Sequence, residues 1–373
     1  MAEVLIAALS PIGHIGPLLN VARGLVDRGD AVTILSGAGR AQEIRAVGAT
    51  PATLPQQADL DLALLEADSG REATSGIKRL NFDIVRLFVA PMPRQAKALT
   101  ELMAHKRFDV ILADYGFFGV LPFVLGDATA RPPVLLYGTT PLMFSSGDLA
   151  PSGLGLPPSA TALGRLRNRA LNLLSQKVLL RRSQSAANYQ LNRLNSRPLP
   201  TFLLDSGALA DGFIAPTVPE FDYPRSDTPA NVRYVGAVHP APTQKFRPPE
   251  WWPKLHGDRP VVHVTQGTVD NADLGRLLKP TIEALADQNV MVVATTGRRP
   301  VSELEFSVPP NTYVAEHIPH DLLLPKVDVM VTNGGYVPCS GPSRQVSRWW
   351  WRATPRTNPR SLRAWRGRVR GST

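Results

Sequence analysis

A short apolar strand, a turn rich in glycine and proline, a helix-periodic segment and a second strand follow one another within residues 4–37. Val4–Leu9 is the first strand, SPIGHIGP the turn, PLLNVARGLVDRG a segment with apolar residues at helical spacing up to Gly29, and AVTILSG the next strand. Parallel strands need such a crossover between them, so the pattern predicts a parallel α/β sheet. FDVILADYG and PPVLLYGTT read as two more buried strands with a partly apolar helix between them. Pro216–Pro260 then holds ten prolines and suits a domain boundary. Beyond it the pattern restarts with the strand PVVHVTQGT, the helix NADLGRLLKPTIEALADQN, the strand NVMVVATTG, the segment TYVAEHIPHDLLL and the strand VDVMVTNGG. The expected fold is α/β with two Rossmann-like domains, 1–215 and 261–336, joined by a Pro-rich region over 216–260. A cleft is expected between them, and ligands at the carboxyl ends of the strands. The second domain reads as incomplete, followed by an aberrant tail over 337–373.

At 373 residues with 43% hydrophobic and 19% charged side chains, the chain is a folded protein of two-domain size. Its single cysteine, Cys339, excludes an internal disulfide framework, a Cys-rich zinc module and a Cys-ligated cluster, and makes a reducing cytoplasm the natural compartment. Neither metal nor cofactor is expected. MAEVLIAALS carries Glu3 in place of a basic n-region and reads as a strand. The apolar run from Phe108 to Gly126 contains Asp109 and Asp114, which argues against a membrane span.

Charge is concentrated. Against a net +10, nine arginines (344, 348, 352, 356, 360, 363, 366, 368 and 370) fall within 340–373, where there is no acid. Four of the six tryptophans lie there too, three consecutive at Trp349, Trp350 and Trp351, with no apolar periodicity, so no ordinary core element is expected. A second basic block over 149–204 has eight Lys or Arg and no acid. Its centre, GRLRNRALNLLSQKVLLRRSQSAANYQLNRLN, predicts an exposed helix with a solvated basic face; the alternative is a surface helix resting on anionic lipid or an anionic acceptor. No nucleic-acid recognition motif accompanies the charge, and no nucleic-acid partner is expected.

Candidate site residues lie at strand ends. In the first turn Gly13 and Gly16 let backbone approach a ligand, and His14 begins the helix, where the positive helix end disfavours imidazolium and leaves a neutral base. Asp114 ends a later strand; in a parallel sheet it reaches the same edge and could hold the imidazole. Spacing alone slightly favours the simpler reading, in which His14 caps its helix and Asp114 the next one. The turn is not GxGxxG and the second strand ends in Ser36 and Gly37 without an acid, which weakens a dinucleotide site. Gly267 and Thr268, and Asn333, Gly334 and Gly335, offer backbone N–H groups and side chains suited to phosphate.

Together these segments resemble the nucleotide-sugar-dependent glycosyltransferases of GT-B fold, the family of UDP-glucuronosyl and natural-product glycosyltransferases. SPIGHIGPLLNVARGL with DAVTILSG, FDVILADYG, VVHVTQGTV and VAEHIPHDLLLPKVDVMVTNGG recur in the family's order over roughly residues 1–335. The resemblance implies that His14 is the general base on the acceptor hydroxyl with Asp114 as its partner. It also implies that Thr268, Asn333, Gly334 and Gly335 hold the diphosphate and that Pro319 and His320 lie beside the nucleobase. The family often has His where this chain has Asn333. The activity implied is inverting transfer of a hexose or deoxyhexose from a UDP- or TDP-sugar to a hydroxyl of a hydrophobic lipid, glycopeptidolipid or secondary-metabolite acceptor. Such an acceptor implies peripheral contact with the inner face of a membrane. An inactive truncated nucleotide-binding relative and a nucleotide-sugar epimerase on the same fold are the alternatives.

After Gly335 the resemblance stops. Consecutive TGG tryptophan codons read one base away give GTG, valine, and the neighbouring frame permits PLVVAGDTEDKPEVAARVAWSGAGV over the tail. The expectation is that the written tail is a shifted or truncated form of the family's sugar-binding strand and loop.

Overall fold

The computed structural model describes residues 1–60, 65, 68–236, 238, 246–267, 271 and 273–333, and the backbone of 348–351. The chain divides into two compact units, Met1–His239 and Pro240–Thr373. The division falls inside the proline-rich stretch, and part of that stretch belongs to the first sheet.

In the first unit the strands are β1 (Glu3–Ala7), β2 (Ala31–Gly37), β3 (Thr50–Leu54), β4 (Val110–Asp114), β5 (Val134–Tyr137), β6 (Gly212–Ala215) and β7 (Val232–Tyr234). They form one sheet in the order β3-β2-β1-β4-β5-β6-β7, with every pairing parallel. Val4, Ile6 and Ala8 pack on one face and Leu5, Ala7 and Leu9 on the other, so both faces are covered and the strand reads as an unbroken apolar run. Helix α1 (Ile12–Asp27) buries Ile15, Leu18, Leu19 and Ala22 against the first of these faces. It stops as expected at Gly29, whose φ of 95° lets its N–H reach the Val26 carbonyl while Asp30 N–H reaches Leu25, a Schellman closure.

Besides a single turn at Ser69–Glu72, the helices that follow are α2 (Ala41–Ala46), α3 (Gly76–Ile84), α4 (Met92–His105), α5 (Leu121–Leu125), α6 (Ala162–Leu174) and α7 (Arg181–Arg193). The apolar run 108–126 is divided between β4 and α5. Among the described residues no helix is long and apolar enough to cross a membrane.

The second unit contains β8 (Val261–Thr265), α8 (Leu278–Leu285), β9 (Met291–Thr295), β10 (Thr312–Ala315), α9 (His320–Leu323), β11 (Val329–Thr332) and β12 (Arg348–Trp351). Its sheet runs β10-β9-β8-β11-β12, again all parallel. Helix α8 is shorter than the segment NADLGRLLKPTIEALADQN led one to expect. The Asp273 carboxylate accepts from Gly275 N–H and closes a separate 3-10 turn at Leu274–Arg276 before the helix begins. The backbone of Arg348–Trp351 adds an edge strand beside β11, in keeping with the β-propensity of tryptophan.

Candidate active site

In each sheet the chain winds outward from a central strand, first to one side and then to the other. The order reverses between β1 and β4 in the first unit and between β8 and β11 in the second. At such a reversal the two flanking loops leave in opposite directions and open a crevice at the carboxyl edge. Of the expected site residues, Gly13, His14, Gly16 and Asp114 fall at the first of these places and Gly267 and Asn333 at the second.

At the first, β1 and β4 pair in the register Ala7↔Ala113, which puts the turn after one beside the end of the other. His14, in the first turn of α1, brings Nδ1 to 2.6 Å from Asp114 Oδ2. Asp114 is fully buried and His14 keeps 23% of its side chain exposed. A carboxylate can be buried only if its oxygens are occupied, and these are: Oδ1 accepts from Gly116 N–H at 3.0 Å and from the Thr139 hydroxyl at 3.2 Å. With the carboxylate as acceptor, Nδ1 is the donor, and the lone pair of the neutral ring lies on Nε2. Burial works against a charged His14, but the charge of Asp114 and its hydrogen bond outweigh it and hold the pKa above the ordinary histidine value. This corrects the expectation from the helix end: a carboxylate at 2.6 Å dominates over the α1 terminus.

Pro11 precedes α1 without a side-chain cap, and the first turn carries no acid. A Cβ on Gly13 would meet nothing within 4 Å, so the space above that turn is open; at Gly16 the nearest atom is the Ile12 side chain at 3.6 Å. The Phe88 ring stands 6.4 Å from the His14 ring, delivered by the wide turn Val85–Val89 between α3 and α4. Sequence reading missed Thr139 and Phe88. Thr139 was findable, because it follows β5 at the same carboxyl edge as Asp114.

At the second crevice, β8 and β11 pair in the register Thr265↔Thr332, and Gly267 and Asn333 come together. Asn333 Nδ2 donates to the Gln266 carbonyl at 2.5 Å, which commits one amide hydrogen. Gly267 has φ of 75°, a conformation costly for any other residue. Gly297, after β9, has φ of 69°, and a Cβ there would lie 2.0 Å from the Gly267 carbonyl oxygen. Asn271 donates to the Thr296 and Gly297 carbonyls and secures this close approach. Gly297 and Asn271 were not singled out from the sequence. Thr268, Gly334 and Gly335 lie outside the described residues.

Pro319 precedes α9, and His320 opens it. The His320 ring lies 5.8 Å, edge to face, from that of His263, a fully buried residue in the middle of β8. His263 Nδ1 donates to the Val293 carbonyl at 2.9 Å, and its Nε2 is buried without a partner among the described residues. Burial, reinforced by His320, pushes its pKa down to about 3. Among the described residues no group of three or more His, Cys, Asp or Glu is arranged to hold a metal.

No family model matches the chain. It is 41% identical over 346 residues to 4'-demethylrebeccamycin synthase of Lentzea aerocolonigenes, covering 90% of this chain and 78% of that protein. It is 33% identical over 355 residues to UDP-glycosyltransferase 2 of Phaeomoniella chlamydospora, covering 90% and 76%. Among solved structures the glycotransferase of kitacinnamycin superposes with a TM-score of 0.71 at 18% identity, covering 98% of this chain and 84% of that one. The protein is a glycosyltransferase of GT-B fold. Within that class the chain belongs to the UDP-glycosyltransferase family.

Proposed function

We propose that the enzyme transfers a hexose or deoxyhexose from a UDP- or TDP-sugar to a hydroxyl of a lipid, glycopeptidolipid or secondary-metabolite acceptor, with inversion at the anomeric carbon. The reading rests above all on the hydrogen bond between His14 and Asp114 at the carboxyl edge of the first sheet, beside an open helix turn. His14 Nε2 takes the proton of the acceptor hydroxyl, and Asp114 stabilises the imidazolium that forms. The acceptor oxygen attacks the anomeric carbon. The bond from that carbon to the diphosphate oxygen breaks, and the nucleoside diphosphate leaves with the electron pair. Gly267, Thr268, Asn333, Gly334 and Gly335 are assigned to the diphosphate, where backbone N–H groups and the Asn333 amide offset the developing charge. Pro319 and His320 are assigned to the nucleobase.

A natural-product acceptor is supported by the likeness to a rebeccamycin-type synthase. A lipid acceptor would place the enzyme peripherally at the inner face of a membrane. The test is a screen of UDP- and TDP-sugars against hydroxylated aromatic and lipid acceptors, with products read by mass spectrometry and anomeric configuration by NMR. His14→Ala is expected to lower transfer by about 10²- to 10⁴-fold. Full activity in that variant would refute the assignment of the base, and a retained anomeric configuration would refute the single displacement.

A further inference from the structure

Helix α6 is turned inside out relative to an ordinary amphipathic helix. Its buried positions are Gly164, Asn168 and Asn172. The two asparagines are satisfied there, Asn168 donating to the Gly147 carbonyl and Asn172 to those of Ser146 and Leu149. The leucines point the other way: Leu163 is 80% exposed, Leu166 64% and Leu173 58%, with Val178 in the following turn at 62%. In a monomeric surface helix the apolar stripe faces the core, so this exposed stripe has no partner within the described residues. The basic side chains flank it. Arg165 is paired with Asp148, but among the described residues Arg169, Lys177, Arg181 and Arg182 have no acidic partner. The exposed face carries the solvated basic residues expected from the sequence and, between them, an apolar stripe.

We infer that α6, with the start of α7, docks on an anionic lipid surface. The leucines enter the headgroup region and the four unpaired cations meet acidic headgroups. Charge decides among the possible occupants. A two-fold pairing of this face with a second copy of the chain would oppose those four cations to their own images. A nucleic acid would satisfy the cations and leave the leucines in water. An anionic bilayer satisfies both. The inference does not depend on the chemistry at His14.

The test is co-sedimentation of the full chain with vesicles of phosphatidylcholine, with and without phosphatidylglycerol. Two variants are compared: Leu166→Ser with Leu173→Ser, and Arg169→Gln, Lys177→Gln, Arg181→Gln and Arg182→Gln combined. All proteins share the arginine-rich tail, so differences report on α6 and α7 alone. The wild type is expected to bind phosphatidylglycerol vesicles at least about tenfold more tightly than neutral ones. Each variant should lose about tenfold or more while keeping its circular dichroism and melting temperature. Binding undiminished in both variants would place lipid attachment elsewhere and overturn the inference. So would a wild type that ignores both vesicles, or a leucine-dependent dimer by light scattering, or binding to DNA that the cation substitutions abolish and the leucine substitutions leave intact.

Discussion

His14 Nδ1 stands 2.6 Å from Asp114 Oδ2 across one hundred residues of sequence. The contact exists because β1 and β4 are neighbours in register at the place where the sheet order reverses. Asp114 is fixed from the other side by Gly116 and Thr139, so the imidazole is oriented before any substrate arrives.

This pairing sets a pH dependence. The folded pKa of His14 lies above the ordinary value near 6.5, and the base must be neutral to accept a proton. kcat/KM should therefore fall as pH is lowered through a pKa above about 6.5. The stabilising effect of the pair has the opposite sense: it is complete below about pH 6.5 and disappears as pH rises through the folded pKa. Asp114→Asn should lower kcat by about 10²- to 10⁴-fold and move the acid limb to lower pH. A pH–rate profile of both proteins checks the shift.

Thr139 is expected to act by positioning Asp114. Thr139→Val removes one of the two donors to Oδ1 and should lower kcat by about tenfold with KM little changed, at a stability cost of about 1–3 kcal/mol. Thr139→Ser keeps the hydroxyl and should restore kcat. Steady-state kinetics and denaturant unfolding separate the two effects.

The glycines of the second crevice should differ in cost. Gly267→Ala forces a side chain into positive φ, with the Asn333 amide at ordinary contact distance, 3.6 Å, at about 1–2 kcal/mol. Gly297→Ala meets the same conformational penalty and also drives a methyl into the Gly267 carbonyl, so it should cost more and weaken UDP binding more strongly. Denaturant unfolding and calorimetric titration with UDP rank the two.

His263 makes the second unit sensitive to acid. The unfolded chain binds a proton below about pH 6.5, whereas the folded one resists until about 3, so stability should decline through that window. The loss is on the order of a few kcal/mol at its limit. His263→Val removes the titrating group and the unpartnered Nε2, and should move the acid-unfolding midpoint to lower pH even if neutral stability changes little. Acid titration followed by circular dichroism reads the midpoint.

Much of this was legible in the residues themselves. Strand, turn and helix each impose a local period, so the two βαβ restarts, the stop at Gly29 and the carboxyl-edge placement of His14, Asp114, Gly267 and Asn333 could be read without coordinates. Strand pairing belongs to no local period. Which strands lie side by side decided that His14 and Asp114 touch, that Thr139 completes their hydrogen bonding, and that Gly297 approaches Gly267. It also drew Val232–Tyr234 into the first sheet from a stretch rich in proline. The same limit explains α6. Its sequence specifies an amphipathic helix, but which face turns inward depends on the carbonyls of Gly147, Ser146 and Leu149 waiting to be satisfied. A periodicity carries no information about partners distant in the chain, and only the tertiary structure supplies them.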